Sequence, residues 1–317
     1  MQMTKENALM DNLRALESVI VAYSGGVDSS LLAYYARKAL GEKAKVVIAV
    51  SASLATDELE AARQQADSFG WNLIEIQTKE IDLPEYQKND AMRCYFCKKT
   101  LFTELEEMAQ AQGIKHIAYG ANMDDKQDFR PGHKAAREFS VVSPLQQAEL
   151  SKTEIRDLAK QAGLPSWDRP QAACLSSRFP TFQPVTIEGL SQVDRAEHYL
   201  RAQGFLQLRV RHHGDLARIE LDDAGLKRIA NDQQLMTRIA EQLRSFGFVY
   251  VTLDLDGYRQ GSSNRFLKME EGGPDKERTA PREQGTAPRE QGTAPREQGT
   301  APREQGTAPR EQEGKAR

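Results

Sequence analysis

Apolar and polar positions divide the chain into short strands alternating with helices. Leu9, Leu13 and Leu16 recur at helical spacing and predict a first helix over 5–16. The apolar run Val19-Ile20-Val21-Ala22 predicts a buried strand, with a helix over 28–40 behind it. A second strand spans 45–51. Leu59, Ala62, Ala66 and Phe69 then mark a helix that stops at Gly70, and 72–77 is a third strand. Met92 to Lys99 opens the next helix, 114–120 is a fourth strand, and 139–142 a fifth that ends at Ser143-Pro144. Ser151-Lys152-Thr153-Glu154 is a capping box ahead of Ile155, Leu158 and Ala159, and that helix ends at Gly163 and Pro165. This alternation predicts βαβ units and a parallel sheet. Farther on come a helix over 187–202, a hairpin (207–211 and 216–221) around Gly214-Asp215, a helix over 224–246 and a strand over 248–255, which together predict a small α/β unit.

Ligands of open parallel sheets bind at the carboxyl ends of the strands, where Ser24, Ser51 and Gly120 fall. The first strand runs into Tyr23-Ser24-Gly25-Gly26-Val27-Asp28-Ser29-Ser30. Gly25 and Gly26 let a ligand approach the main chain. Backbone N–H groups at the helix start, with the Ser24 and Ser29 hydroxyls, make a phosphate cradle. Asp28 would repel phosphate unless a cation lies between them, so it reads as an Mg²⁺ partner. The stretch resembles the SGGxDS signature of the PP-loop ATP pyrophosphatases and lacks the Walker lysine. That resemblance implies cleavage of ATP to AMP and pyrophosphate, usually after a substrate is adenylated.

Composition changes the picture at the C-terminus. The unit TAPREQG recurs from Thr279, each copy with one Arg, one Glu and no large apolar residue, which predicts a disordered tail over 271–317. About 270 residues remain, enough for one large domain and a small one. The net charge of −3 and pI of about 6.1 do not advertise nucleic-acid binding. No apolar run is long enough to span a bilayer, and residues 1–16 carry no signal-peptide core, so a cytoplasmic protein is the expectation.

The three cysteines are too few for a disulfide framework. Cys94-x-x-Cys97 at a helix start fits a redox pair, half a zinc site or two thiols of a cluster. Cys174 lies in a proline-rich stretch over 164–184 that is too long for a plain connection. If the two segments meet, three thiolates converge, and a four-iron cluster held by three cysteines keeps one iron open. Buried unliganded cysteines are the plainer alternative, and Cys174 alone is a plausible nucleophile or sulfur carrier.

Several longer stretches resemble the LarE family: SGGVDSS from Ser24, DFRPG from residue 128, LSKTEIRDLAKQAGLPSW from Leu150, ACLSSRFP from Ala173, VRHHGDLARIEL from Val210 and YVTLDLDGYRQG from Tyr250. The resemblance covers 1 to about 265 and leaves out the repeats. It implies a PP-loop ATP-binding domain (Rossmann-like parallel sheet) over 1–165, an active-site loop over 166–185, a smaller α/β domain over 186–270, and a homo-oligomer. The implied activity is ATP-dependent sulfur transfer to the carboxylates of pyridinium-3,5-biscarboxylic acid mononucleotide, on the way to a nickel-pincer nucleotide. One branch of the family gives up the sulfur of a single cysteine. The other holds a [4Fe-4S] cluster on three, and Cys94, Cys97 and Cys174 resemble that second branch. Ser24, Gly25, Gly26, Asp28, Ser29, Ser51 and Gly120 are then the nucleotide site.

Lys98 would neutralise phosphate or the attacking site, with a solvated first-turn lysine as the alternative. Arg209, Arg211 and Arg259 are candidates for the substrate's phosphate and carboxylates, and Ser177 and Arg178 would shape the same pocket. Glu197 and Glu220 match acidic positions that the family uses near this site, which makes them candidate metal ligands; apart from the resemblance both read as solvated surface residues. Three rivals stand beside this reading: a tRNA thiolase, which needs a basic surface, an amide-forming PP-loop ligase, which needs an ammonia source, and a non-catalytic nucleotide or iron–sulfur sensor.

Overall fold

A computed structural model describes residues 4–127, 131–170 and 173–259. The repeats, the beginning of DFRPG and the end of YRQG lie outside the described residues. Residues 1–268 form one compact unit and 269–317 a second, which is not described.

The first part of the chain runs α1 (Lys5–Ala15), β1 (Val19–Tyr23), α2 (Val27–Leu40), β2 (Ala44–Val50), α3 (Thr56–Ser68), β3 (Leu73–Gln77), α4 (Pro84–Gln87), α5 (Arg93–Gln112), β4 (His116–Tyr119), α6 (Pro131–Glu138), α7 (Pro144–Gln147) and α8 (Lys152–Gln161). Its four strands form a parallel sheet in the order β3-β2-β1-β4. β1 is buried along its whole length because helices cover both faces. Its alternate residues serve different cores: Val19, Val21 and Tyr23 pack with α1, α2 and α8, while Ile20 and Ala22 pack with Phe102 and Leu105 of α5. The chain turns from β1 outward to β3 and then returns to β4 on the other side. The carboxyl ends of β1 and β4 therefore flank the point where strand order reverses, which is where such sheets bind ligands.

The expected fifth strand is reduced to one parallel bridge, Val142 to Ala118. The N–H groups of Phe139, Ser140 and Val141 are taken by the carbonyls that end α6, with Ser140 at φ +51°, which leaves only Val142 extended beside β4 before α7 starts at Pro144. The capping box forms as expected, with Ser151 and Glu154 each satisfying the other's backbone N–H.

The second part comprises α9 (Ile187–Ala202), β5 (Leu208–His213), β6 (Leu216–Leu221), α10 (Asp223–Ala230), α11 (Gln233–Ser245) and β7 (Tyr250–Leu253). β5 and β6 form the expected hairpin, and β7 joins β6 in parallel. The single helix expected over 224–246 is two helices. Asp232 accepts from the Leu235 N–H and caps α11, breaking the run at Asn231-Asp232. The core of this sheet also recruits Ala55, Ile81 and Tyr86, with Phe96 and Cys97 packed against it, so the CxxC segment lies where the two sheets' elements meet.

Candidate active site

The turn after β1 is held open by its own side chains. The Ser24 N–H donates to Ser29 Oγ at 3.1 Å, the two hydroxyls lie 3.0 Å apart, and Ser29 and Ser30 both donate to the Gly26 carbonyl. Gly25 has φ +74°, a conformation that costs glycine nothing. Gly120, just past β4, is required for a different reason. A Cβ there would lie 2.8 Å from the Ser29 nitrogen and 3.0 Å from the Asp28 carbonyl carbon. Gly120→Ala is therefore expected to cost about 1–3 kcal/mol by overpacking, and to weaken ATP binding because the atoms displaced are those of the cradle; calorimetric titration with ATP checks it.

Asp28 is not alone. Asn122 donates to its Oδ1 at 3.0 Å and Lys152 pairs with its Oδ2. Sequence reasoning found neither partner. Lys152 was legible only as the first residue of a capped helix, and nothing local ties it to a loop 124 residues away. At the end of β2, the Ser51 and Ser53 hydroxyls lie 3.0 Å apart, and Ser53 donates to the buried Glu80 at 3.1 Å.

The loop carrying Cys174 is stapled to this edge: the Leu175 N–H donates to the Ser53 carbonyl at 2.9 Å. Tyr86 OH and Ser176 Oγ lie 2.6 Å apart, and Arg93 donates to the Ser176 carbonyl at 2.8 Å and to Asn89 Oδ1. This brings the CxxC segment and the Cys174 loop together. Cys94 and Cys174 are exposed and Cys97 partly buried, all three as free thiols. Burial, then the Glu80 charge, pushes the Cys97 thiol up to about 12, with Cys174 and Cys94 adding to the effect and Lys98 opposing it. Burial disfavours the Arg93 charge, but the Cys174 and Cys94 sulfurs beside it raise its pKa on balance. Among the described residues, however, no three His, Cys, Asp or Glu side chains are arranged to hold a metal ion. Lys98 has no carboxylate within ion-pair distance among the described residues and lies 5.9 Å from the Phe102 ring centroid.

Glu197 and Glu220 are not surface residues: they are 0 % and 1 % exposed. Each is gripped by an arginine through two bonds. Arg178 meets Glu197 at 2.9 Å twice, and Arg211 meets Glu220 at 3.0 and 2.9 Å. Glu197 also accepts from Arg201 and from the Val210 N–H, so guanidinium and backbone donors occupy both its oxygens. Burial opposes ionisation of Glu197, but Arg178, Arg201 and Arg209 outweigh it and hold its pKa at about 2. Arg178 reaches on to the Ala173 carbonyl at 2.6 Å, the Cys174 carbonyl at 3.0 Å and Ser177 Oγ at 3.0 Å, while Arg211 donates to the Ser177 carbonyl at 2.9 Å. Arg178 and Arg211 thus build the Cys174 loop, a role their residue types did not announce.

Arg209 differs from both. It bonds the Leu208 carbonyl, stacks 5.3 Å from the Tyr258 ring, and has no carboxylate within ion-pair distance among the described residues. Burial and neighbouring Arg178 lower its pKa, so an anion there would be welcome. Arg259 is exposed and sits 3.4 Å from Asp256.

Comparison with known proteins agrees with this geometry. The asparagine synthase family model matches residues 6–110. An uncharacterised protein of Synechocystis sp. is 44 % identical over 262 residues, 81 % of this chain and 97 % of that one. The pyridinium-3,5-bisthiocarboxylic acid mononucleotide synthase of Lactiplantibacillus plantarum is 37 % identical over 265 residues, 83 % of this chain and 95 % of the relative. A glutamine-hydrolysing GMP synthase component of Methanocaldococcus jannaschii is 30 % identical over 160 residues, only 46 % of this chain and 50 % of its own. The likeness to the GMP synthase component thus covers about half of the chain, whereas the likeness to the bisthiocarboxylic acid mononucleotide synthase covers more than four fifths of it.

Proposed function

The chain belongs to the LarE family of ATP-dependent sulfur transferases, and from that premise we propose that it converts the carboxylates of pyridinium-3,5-biscarboxylic acid mononucleotide to thiocarboxylates, toward a nickel-pincer nucleotide. The observation that carries this reading is the bond from Leu175 to the Ser53 carbonyl, which ties the Cys174 loop to the sheet edge that bears the phosphate cradle. A substrate carboxylate adenylated at that edge would lie beside the thiols. The carboxylate oxygen attacks the α-phosphorus of ATP, the bond to the β-phosphate's bridging oxygen breaks, and pyrophosphate leaves. Sulfur then replaces AMP at the acyl carbon.

The chain's own residues have definite parts in this scheme. Ser24 to Ser29 cradle phosphate, and Lys152 supplies positive charge at the same place. Asp28, a partly exposed carboxylate on the cradle's rim, fits an Mg²⁺ ligand, and the ion would neutralise phosphate oxygens there. Arg209, which has no carboxylate within ion-pair distance among the described residues, offers its guanidinium to the substrate's phosphate.

In this reading Cys94, Cys97 and Cys174 hold a [4Fe-4S] cluster. What supports this is the donor type and the meeting of two segments: Cys94 and Cys97 open α5, and Arg93 beside them holds the Ser176 carbonyl of the Cys174 loop at 2.8 Å. The three thiols as they stand among the described residues are not arranged around a metal, so cluster binding would require them to close up. Such a cluster would supply the sulfur. The reading further takes in a homo-oligomer, favoured by the exposed Val249 and Tyr250 where β7 begins, and a cytoplasmic location. No helix among the described residues is long and apolar enough to cross a membrane.

The test is anaerobic purification followed by iron and acid-labile sulfide analysis and an assay with ATP, Mg²⁺ and the biscarboxylic mononucleotide. Thiocarboxylate with about four iron per chain is the expected result. Thiocarboxylate without iron after reconstitution leaves Cys174 as the sulfur donor by itself, and pyrophosphate without thiocarboxylate overturns the reading.

A further inference from the structure

Helix α3 stands between the phosphate cradle and the Cys174 loop. On one side it abuts Gly25, where a Cβ would lie 3.3 Å from Ala62 Cβ and 3.8 Å from the Glu58 carbonyl. On the other side Asp57, in its first turn, begins a line of charged groups. Asp57 Oδ2 accepts from Arg201 Nη1 at 2.7 Å, and Arg201 Nη2 donates to Glu197 Oε2 at 2.9 Å. Glu197 holds Arg178 by two bonds, and Arg178 Nη1 donates to the carbonyls of Ala173 and Cys174.

We propose that Asp57 is a positioning residue for Cys174, acting through Arg201, Glu197 and Arg178. Arg201 divides its two nitrogens between Asp57 and Glu197, so neutralising Asp57 frees it to rotate onto Glu197 alone. Glu197 must then share its oxygens differently, and the guanidinium that grips the main chain at 173 and 174 shifts with it. Arg201 makes a single bond to each carboxylate, so it is the joint that gives, and the two-bond Arg178–Glu197 contact carries the shift onward because a bidentate guanidinium–carboxylate pair has one favourable orientation. His198 takes the other Asp57 oxygen at 2.6 Å and keeps the carboxylate turned toward α9. The Leu175–Ser53 bond is independent of this line, so the loop stays attached while the orientation of Cys174 is lost. The inference rests on the reading of Cys174 as part of the sulfur-transfer site. A misplaced Cys174 leaves the acyl adenylate to water, so pyrophosphate would be released without sulfur transfer.

The experiment compares full-length Asp57→Asn with Asp194→Asn. Asp194 joins the same two helices by accepting from Thr56 N at 3.1 Å and Thr56 Oγ1 at 2.6 Å, and it has no bond to the Arg201 line. Two quantities are read: thiocarboxylate formed per pyrophosphate released, and the rate at which iodoacetamide labels Cys174 relative to Cys94 in full-length protein freed of iron by chelation, the free-thiol state of the structure. Asp57→Asn is expected to lower the ratio and change the relative labelling by about two- to thirtyfold, the span of couplings carried by such networks. Asp194→Asn should leave both near the parent's values. Unchanged ratio and labelling in Asp57→Asn, or equal changes in the two variants, overturn the proposal. Should Asp57→Asn fail to fold, Arg201→Gln removes the next group in the line and is judged by the same outcomes. If the parent makes no thiocarboxylate, the sulfur-transfer reading fails, and labelling alone decides whether Asp57 positions Cys174.

Discussion

Glu197→Ala is expected to lower the unfolding free energy by about 3–5 kcal/mol, because it leaves the buried Arg178 guanidinium without its counter-charge. Arg178 is 3 % exposed and Glu197 fully buried, so water cannot take over the lost bonds. The Val210 N–H and one nitrogen of Arg201 lose their acceptor as well. Urea unfolding at pH 7 measures the loss. The double variant Arg178→Met with Glu197→Leu separates two contributions: it should recover much of the stability, since paired buried charges are replaced by apolar groups, while Cys174 positioning stays lost. The pair also has a pH signature. The Glu197 pKa in the folded protein is about 2, below its usual value of about 4.3. Its contribution is therefore present above the usual value and disappears as pH falls through the folded one. Parent and Glu197→Ala should converge in stability as pH drops from about 4 toward 2.

Cys174→Ala is expected to cut thiocarboxylate formation by roughly 10³-fold or more, as loss of an essential reacting group does. Substrate-dependent pyrophosphate release should stay within about threefold of the parent, because the thiol belongs to the second half-reaction and the side chain it removes is exposed. Measuring both products in one reaction separates the two steps. Equal loss of both would assign Cys174 to adenylation or to folding and contradict the order of events proposed here. Amide-ligase chemistry would leave pyrophosphate release unaffected and give no thiocarboxylate in either protein.

Much of the nucleotide-binding half was legible in the sequence, and the reason is local. Val19 to Ala22 is a continuous apolar run because β1 is covered on both faces, and such a run identifies itself. The cradle after it depends on residues within seven positions of one another, as does the Ser151–Glu154 capping box. Breaks inside amphipathic segments were harder to read. The run over 224–246 keeps a helical period across Asn231-Asp232, and only the bond from Leu235 to Asp232 reveals two helices. The predicted fifth strand had the right composition, but flanking helices left it a single bridge.

Charged residues were the least legible. Glu197 and Glu220 carry the residue type of a solvated surface, yet each lies in the core beside an arginine. Burial of a carboxylate follows from its partner, and the partner is chosen by packing between α9, β5 and the Cys174 loop. Glu80 and Arg93 were missed for the same reason, although Arg93 directly precedes the CxxC pair. By itself the sequence determined the strand–turn–helix at Ser24, the alternation that makes the sheet parallel, and the presence of three thiols, since each follows from residues adjacent in the chain. Only the tertiary structure decided that Lys152 and Asn122 meet Asp28, that Cys174 comes to Ser53 and Arg93, and that a line of charges joins Asp57 to the Cys174 loop. These pairings lie as far as 144 positions apart along the chain, and only the packing of both sheets' elements brings such groups within bonding distance.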